Sequence, residues 1–271
     1  MENKSIAILY VCTGKYTVFW KEFYISCMER FIPEYHKEFF VFTDAASIYN
    51  EKQDEGIHRI YQKNLGWPGN TLMRYEMFVP LKEKISIFDY TVFFNANTYF
   101  VKTVTAEEFL PHKEEIVVVQ HPAFTHTDRY MFPYERHKKS TAYIPYSLGK
   151  DYVVGGVNGG KTDAYFRMAE TLRNRTNADL QNGITAIWHD ESQLNKYIAY
   201  YDDYRLLSPS YCYTEGIDFG YEPIIMMRDK NRYFSVTKLK KNMIYIWWCG
   251  AKRHAMYVVL KTRDFFLREK G

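Results

Sequence analysis

Apolar residues gather in short runs at positions 6–11, 39–42, 91–94 and 116–119, and these runs are rich in β-branched and aromatic side chains. Runs of that length and make-up are what strands buried on both faces carry. Between them the period changes. Trp20, Phe23, Tyr24, Cys27 and Phe31 recur at spacings of three and four, and helix formers fill 71–84 with a break at Pro80. Further helices are predicted over about 163–173, where Tyr165, Met168, Ala169 and Leu172 share a face, and after Asp190. Strands alternating with helices predict an α/β fold: a mostly parallel, Rossmann-like sheet with helices on both faces and ligands beyond the carboxyl ends of its strands. Those ends are Val11-Cys12-Thr13-Gly14, Thr43-Asp44 and Asn95-Ala96-Asn97, all in the first half of the chain. A second half begins near Gln120 and holds a Gly-rich turn at 155–160; no internal repeat or low-complexity linker separates the two.

With 271 residues, 46% of them hydrophobic, the chain is large enough for one large domain or two small ones sharing an interface. Aromatic residues reach 18%, which suits either a core or a site that stacks sugar rings, and the core is the commoner use. The four Cys form no CxxC pair and no metal-ligand spacing, so neither a disulfide framework nor a structural zinc site is indicated and a reducing compartment fits. Positions 1–12 lack a small-residue cleavage site, and no apolar stretch reaches the roughly 18 residues of a membrane span; a cytoplasmic location is the expectation. A net charge of +4 is too small to argue for nucleic acid. Its distribution is uneven: residues 238–271 hold nine Lys/Arg against Asp264 and Glu269, a balance of +7 that leaves the first 237 residues at −3.

One motif invites a nucleotide reading. Gly155-Gly156-Val157-Asn158-Gly159-Gly160-Lys161-Thr162 satisfies GxxxxGK[ST], follows an apolar triplet and precedes a helix, as a phosphate-cradling loop does. It lies past the middle of the chain, however, and no later apolar strand ends in the Asp that would hold Mg²⁺. Glycines that let the backbone approach another surface are the favoured reading over an NTPase loop.

A second constellation is Ala186-Ile187-Trp188-His189-Asp190-Glu191-Ser192, which opens a helix with Leu194, Tyr197, Ile198 and Tyr201 on its apolar face. Glu191 is three residues before Leu194 and seven before Ile198 and is expected to point inward with them, where a carboxylate must be paired or used. Asp190 reads as a helix-start acid facing the macrodipole. Trp188 is a sugar platform or a core anchor.

These residues, together with Leu194-Asn195-Lys196-Tyr197, Tyr134-Glu135-Arg136 and Ala142-Tyr143-Ile144-Pro145, closely resemble glycosyltransferase family 6, the family of the histo-blood-group A and B transferases, α1,3-galactosyltransferase and bacterial relatives. The resemblance spans about 6–231. It implies a GT-A fold in which 1–118 form the nucleotide-sugar half, 119–231 the acceptor-binding and catalytic half, and 232–271 a basic, aromatic tail outside the match. It implies transfer of Gal or GalNAc from a UDP-sugar to the 3-position of a galactoside with retention of configuration; a glycan-binding module without catalysis is the remote alternative.

Carried over position by position, the resemblance places Val11, Thr13 and Tyr16 at the uracil and ribose, and Arg74, Gly155, Gly156 and Asp190 among the donor contacts. Lys230 falls at the phosphate-binding lysine. His121 and Trp188 fall on the acceptor side, and Glu191 matches the acid that acts as nucleophile or stabilises the oxocarbenium-like transition state. Asn95 and Asn97 stand where animal members hold the two aspartates of a DxD motif that binds Mn²⁺. Neutral amides are weak ligands, so no divalent metal is expected, as in bacterial members of the family. Gly156 leaves room for an acetamido group, which favours UDP-GalNAc over UDP-Gal, and the acceptor implied is a galactose, α1,2-fucosylated as in the blood-group members. The tail combines aromatics with cations, as segments lying on anionic membranes do.

Overall fold

The structure, a computed structural model, describes residues 4–234 and 243–268. Its strands are β1 (Ser5–Val11), β2 (His36–Thr43), β3 (Ile57–Tyr61), β4 (Tyr90–Asn95), β5 (Thr98–Phe100), β6 (Ile116–Gln120), β7 (Val153–Lys161), β8 (Tyr204–Leu207), β9 (Tyr213–Thr214) and β10 (Ile225–Met227). The helices are α1 (Trp20–Arg30), α2 (Gly66–Leu72), α3 (Arg74–Phe78), α4 (Lys82–Ile85), α5 (Ala106–Phe109), α6 (Thr162–Gln181), α7 (Asp190–Ile198) and α8 (Met243–Arg268). Seven strands form the central sheet in the order β3-β2-β1-β4-β7-β6-β8, and β5, β10 and β9 form a small second sheet. All neighbours in the large sheet are parallel except β7, which runs antiparallel to both β4 and β6. The GT-A-type α/β architecture expected from the sequence is therefore present.

Side-chain alternation along β1 sorts the core into two layers. Ile6, Ile8 and Tyr10 join α1 through Trp20, Phe23 and Cys27 on one face. Ala7 and Leu9 join Phe78 of α3 and Tyr165, Met168 and Leu172 of α6 on the other. Aromatics dominate: Tyr10 stacks on Phe23 at 4.3 Å between ring centres, and Phe31 meets Phe94, Phe100 and Phe109 edge-on or tilted. Each such buried ring contributes about 1.5–3 kcal/mol. Most of the aromatic content is thus core. Three Cys are buried and all four are unpaired.

The predicted elements stand, with local changes. Phe31 lies one residue past α1 with extended backbone, yet its ring is buried. Pro80 sits in a 3-10 turn, Val79–Leu81, that separates α3 from α4. The helix expected over 163–173 runs on to Gln181, and its polar second half buries Thr176 and Asp179. Asp179 there accepts from Ser140 Oγ and from Thr141 N, both at 2.7 Å.

The Gly-rich segment is not a turn. Residues 153–161 are one strand, β7, wedged between β4 and β6, so the GxxxxGK[ST] match forms no phosphate loop. A Cβ at Gly159 would stand 2.8 Å from Thr91 O and 2.9 Å from Val92 Cγ2. Glycine is required by the approach of neighbouring strands rather than by a ligand.

Candidate functional site

The carboxyl ends of β1 and β4, the first half of β7 and the N-terminus of α7 converge. Val11 pairs with Asn95 across the β1–β4 ladder. The turn after β4 is closed by Thr98 Oγ1, which donates to Asn95 O at 2.7 Å, and by Tyr10 Oη, which donates to Ala96 O at 2.5 Å. Asn97 is buried and its Nδ2 donates to Arg228 O at 2.8 Å while its own carbonyl accepts from Arg228 N at 2.8 Å. This couples the Asn-Ala-Asn turn to the segment carrying Lys230. The two line a cleft of about 480 Å³ with Thr214, Glu215 and Met227, a volume usual for a ligand site.

Arg74 is the centre of the constellation. It is only 5% exposed, and its Nη1 donates to Gly155 O at 2.8 Å and to Asp190 Oδ2 at 2.5 Å. Nη2 donates to Asn95 Oδ1 at 3.1 Å, and the guanidinium lies 4.1 Å from the centre of the Phe93 ring. One side chain thus joins β4, β7 and α7. Asp190, 2% exposed, is buried more deeply than Glu191, so an acid that the sequence reads as a helix-start residue faces the sheet beside the one the helical spacing points inward. Asp190 begins α7 and faces the sheet because Arg74 is there to meet it. Glu191 stands half-buried at the rim.

Burial pushes the Asp190 carboxyl up to about 6, against the pull of Arg74 and with a further push from Glu191. A folded-state value above the ordinary 3.8 means that the folded chain holds this proton more tightly, so the stabilisation is present below about pH 4 and is lost as pH rises through 6. From pH 5 to 7 the loss is about 1.4 kcal/mol. His121 runs the other way: burial lowers it to about 4, so its contribution grows as pH rises through the same window. Urea unfolding of wild type and Asp190→Asn at pH 5 and pH 7 isolates the Asp190 share. The wild-type advantage over the variant should shrink by about 1 kcal/mol on going to pH 7, and a constant difference would refute the assignment.

Glu191 is held at both oxygens. Tyr152 Oη donates to Oε1 and Gly155 N to Oε2, each at 2.8 Å. Asn195, one turn further along α7, donates through Nδ2 to Glu191 O and Val153 O, both at 2.9 Å, and accepts at Oδ1 from Val153 N at 3.0 Å. Sheet and helix are thereby locked in register under the carboxylate. The residue before the pair, His189, has φ 56° and ψ −123°, a strained conformation for a residue with a Cβ, of the kind that clusters at functional sites. The preceding loop is fixed from outside. Buried Glu135 accepts from Ile187 N at 2.7 Å, and Ser192 Oγ accepts from Trp188 N at 3.0 Å, so Tyr134-Glu135-Arg136 supports the loop that presents Trp188.

The other expected residues surround this centre. His121 follows β6 and accepts at Nδ1 from Ala123 N at 3.2 Å; its ring lies 5.6 Å from that of Tyr152, whose hydroxyl donates to Glu191. Thr13 is buried at the end of β1. Tyr16 packs edge-on against Phe19 and Phe234 and has Lys230 Nζ 5.6 Å from its ring centre. A Cβ on Gly156 would meet Asn95 Nδ2 at 3.3 Å and Met227 Cε at 3.6 Å, which puts the missing side chain's space against the β4 turn. Tyr152 was not singled out from sequence, and Asn195 entered only within the Leu194-Asn195-Lys196-Tyr197 segment, without a role of its own. Asn195 lies four residues after Glu191, a spacing that places both on one helix face; nothing local marks Tyr152, since its partner is 39 residues away.

The Asn95 side-chain oxygen already accepts from a guanidinium, and the Asn97 amide is spent on the Arg228 backbone. Among the described residues, no three His, Cys, Asp or Glu cluster as ligands.

Residues 243–268 of the tail form α8, which packs on the 129–131 turn; 238–242 and 269–271 lie outside the described residues. No described helix is long and apolar enough to cross a membrane.

Compared with known proteins, residues 1–243 match the sequence model of glycosyltransferase family 6. The chain is 38% identical over 236 residues to the O-antigen biosynthesis glycosyltransferase WbnI of Escherichia coli, covering 87% of this chain and 99% of that protein. It is 30% identical over 244 residues to histo-blood group ABO system transferase 1 of Rattus norvegicus, covering 88% and 68%. It is 28% identical over 220 residues to globoside alpha-1,3-N-acetylgalactosaminyltransferase 1 of Gallus gallus, covering 79% and 63%.

Proposed function

The chain belongs to glycosyltransferase family 6 and is a glycosyltransferase, and from that premise we propose that it moves GalNAc from UDP-GalNAc to O3 of a terminal, α1,2-fucosylated galactose. Configuration is retained, and no divalent metal takes part. The observation that carries the reading is the Glu191 carboxylate, held at both oxygens beside the glycine pair of β7. A charge so placed offsets the positive character that develops at the anomeric carbon as UDP departs. His121 and Trp188 serve as acceptor contacts, and Arg74 and Asp190 build the donor side. Glycine at 156, where a bulkier side chain would crowd an acetamido group, supports the GalNAc donor, and UDP-Gal on the same site is the second reading.

Metal-free action is supported by the chemistry of the β4 turn. A lone pair shared with Arg74, beside that guanidinium's charge, is a poor ligand for a divalent ion. Arg74 is itself offset by Asp190, so the phosphates draw on Lys230, exposed at the mouth of the cleft. Release of UDP from UDP-GalNAc and from UDP-Gal, with 2′-fucosyllactose present, tests these statements together. Full activity in EDTA with a GalNAc preference is expected. Silence in EDTA rescued by Mn²⁺ would overturn the metal-free reading, and faster turnover of UDP-Gal would overturn the donor.

The tail supports a cytoplasmic enzyme resting on an anionic membrane. Lys252, Met256, Val259 and Arg263 follow one another at spacings of four, three and four along α8 and are all exposed, Val259 by 61%. A ridge of apolar and basic residues suits an anionic lipid surface. Liposomes containing phosphatidylglycerol should carry the whole chain upward in a density gradient and leave behind a chain lacking 238–271; equal flotation of the two would refute the contact.

A further inference from the structure

α8 begins at the last residue of the family match and turns a stripe of Cys249, Arg253, Tyr257, Leu260 and Asp264 toward the body of the protein. Its far end is tied down. Tyr130 Oη donates to Asp264 Oδ2 at 2.7 Å, and Lys261 Nζ pairs with Asp128 Oδ2 at 2.5 Å. Nearer its start, α8 and the 134–146 segment enclose a cavity of about 170 Å³ lined by Tyr134, Arg136, Tyr146, Ile187, Lys252 and Arg253. Two guanidinium groups therefore share one small enclosure. The Nε of Arg136 and the Nε of Arg253 are both buried and without a hydrogen-bond partner. Arg136 stacks at 3.9 Å over Tyr146 and donates through Nη1 to Ile144 O, which fixes the plane of its fork. Glu135 also lines the cavity, and its two carboxylate oxygens are engaged by His137 N and Ile187 N, each at 2.7 Å. Burial lowers Arg136 below the usual arginine value and Arg253 lowers it further, as expected of two like charges held together.

We propose that this cavity is an oxyanion site that takes a phosphoryl group between Arg136 and Arg253. Two planar forks with two positive charges match the oxygens and the dianionic charge of a phosphate ester. Buried, unmet N–H groups and mutual repulsion are both relieved when such a group enters. The cavity wall includes Ile187, the residue before Trp188, so the bound group lies on the acceptor side of the site. Reading it as the phosphoryl group of a lipid-borne acceptor rests on the proposed transferase function; the anion site itself does not.

Calorimetric titration of the full chain, saturated with UDP to close the donor cleft to competitors, tests the site. The probes are inorganic phosphate and the soluble ester dihexanoylphosphatidic acid. One saturable event is expected. Arg253→Gln should weaken it roughly ten- to a hundredfold, and Arg253→Lys, which keeps the charge and loses the fork, should weaken it less. Tighter binding of the ester assigns the site to lipid phosphate, and equal binding assigns it to free phosphate. No saturable binding of either probe, or wild-type affinity in a folded Arg253→Gln chain, would overturn the proposal. No transfer step enters this measurement, so its failure is separable from failure of the transferase reading.

Discussion

Glu191→Gln should lower kcat for sugar transfer by about a thousandfold, on the order of 4 kcal/mol of transition-state stabilisation, while leaving the KM for the UDP-sugar within a few fold. The variant keeps the shape of the site. An amide oxygen still accepts from Gly155 N, and the amide nitrogen can donate to Tyr152 Oη, whose hydroxyl accepts as readily as it donates. Only the negative charge is lost, and it is lost where the sugar becomes cationic. Because the carboxylate is held by Tyr152 and Gly155 before any substrate arrives, the effect falls on kcat rather than on donor affinity. Steady-state rates with both substrates saturating decide the matter. Unchanged turnover would remove Glu191 from the chemistry and leave it as a residue that fastens α7 to β7.

Arg74→Met should cost about 3–5 kcal/mol of folding stability and abolish transfer, through a different mechanism. Removing the guanidinium leaves Asp190 buried beside nothing positive. Its carboxyl, already at about 6, need only take up a proton at pH 7, so this part of the loss is capped at about 1.4 kcal/mol. The larger part comes from Asn95 Oδ1, which loses its donor, from Gly155 O, which keeps only Asn158 Nδ2 at 3.3 Å, and from the lost packing of the guanidinium on Phe93, at about 1–3 kcal/mol each. Arg74→Met combined with Asp190→Asn should therefore recover only the smaller part. Urea unfolding at pH 7 reads both values. A single variant within about 0.5 kcal/mol of wild type would mean that Arg74 does not organise the site.

Much of this was legible along the chain. Runs of β-branched and aromatic residues located β1, β2, β4 and β6, since a strand buried on both faces must be apolar throughout, and three-four spacing located α1, α6 and α7. The Trp-His-Asp-Glu-Ser segment and the strand ends named the residues that the fold brings together around Arg74. These are local properties, set by the period of the backbone and by side-chain chemistry. The glycine run shows where locality ends. Its residues are as compatible with a phosphate loop as with a strand, and what decides is Thr91 and Val92 of β4 lying too close to Gly159 for any Cβ.

The same limit governs the two acids. Helical spacing pointed Glu191 inward, where Tyr152 and Gly155 hold it, but it counts only neighbours on α7 and left Asp190 as a helix-start acid. Asp190 turned inward because Arg74, 116 residues earlier, supplies the charge that makes burial tolerable. Likewise Asn97 is spent on Arg228 and Tyr152 on Glu191, pairings set by which strands and helices meet. Which elements form follows from their own residues. Which charges can be buried, and which carboxylate is left facing substrate, depends on the partner that the sheet delivers from far along the chain.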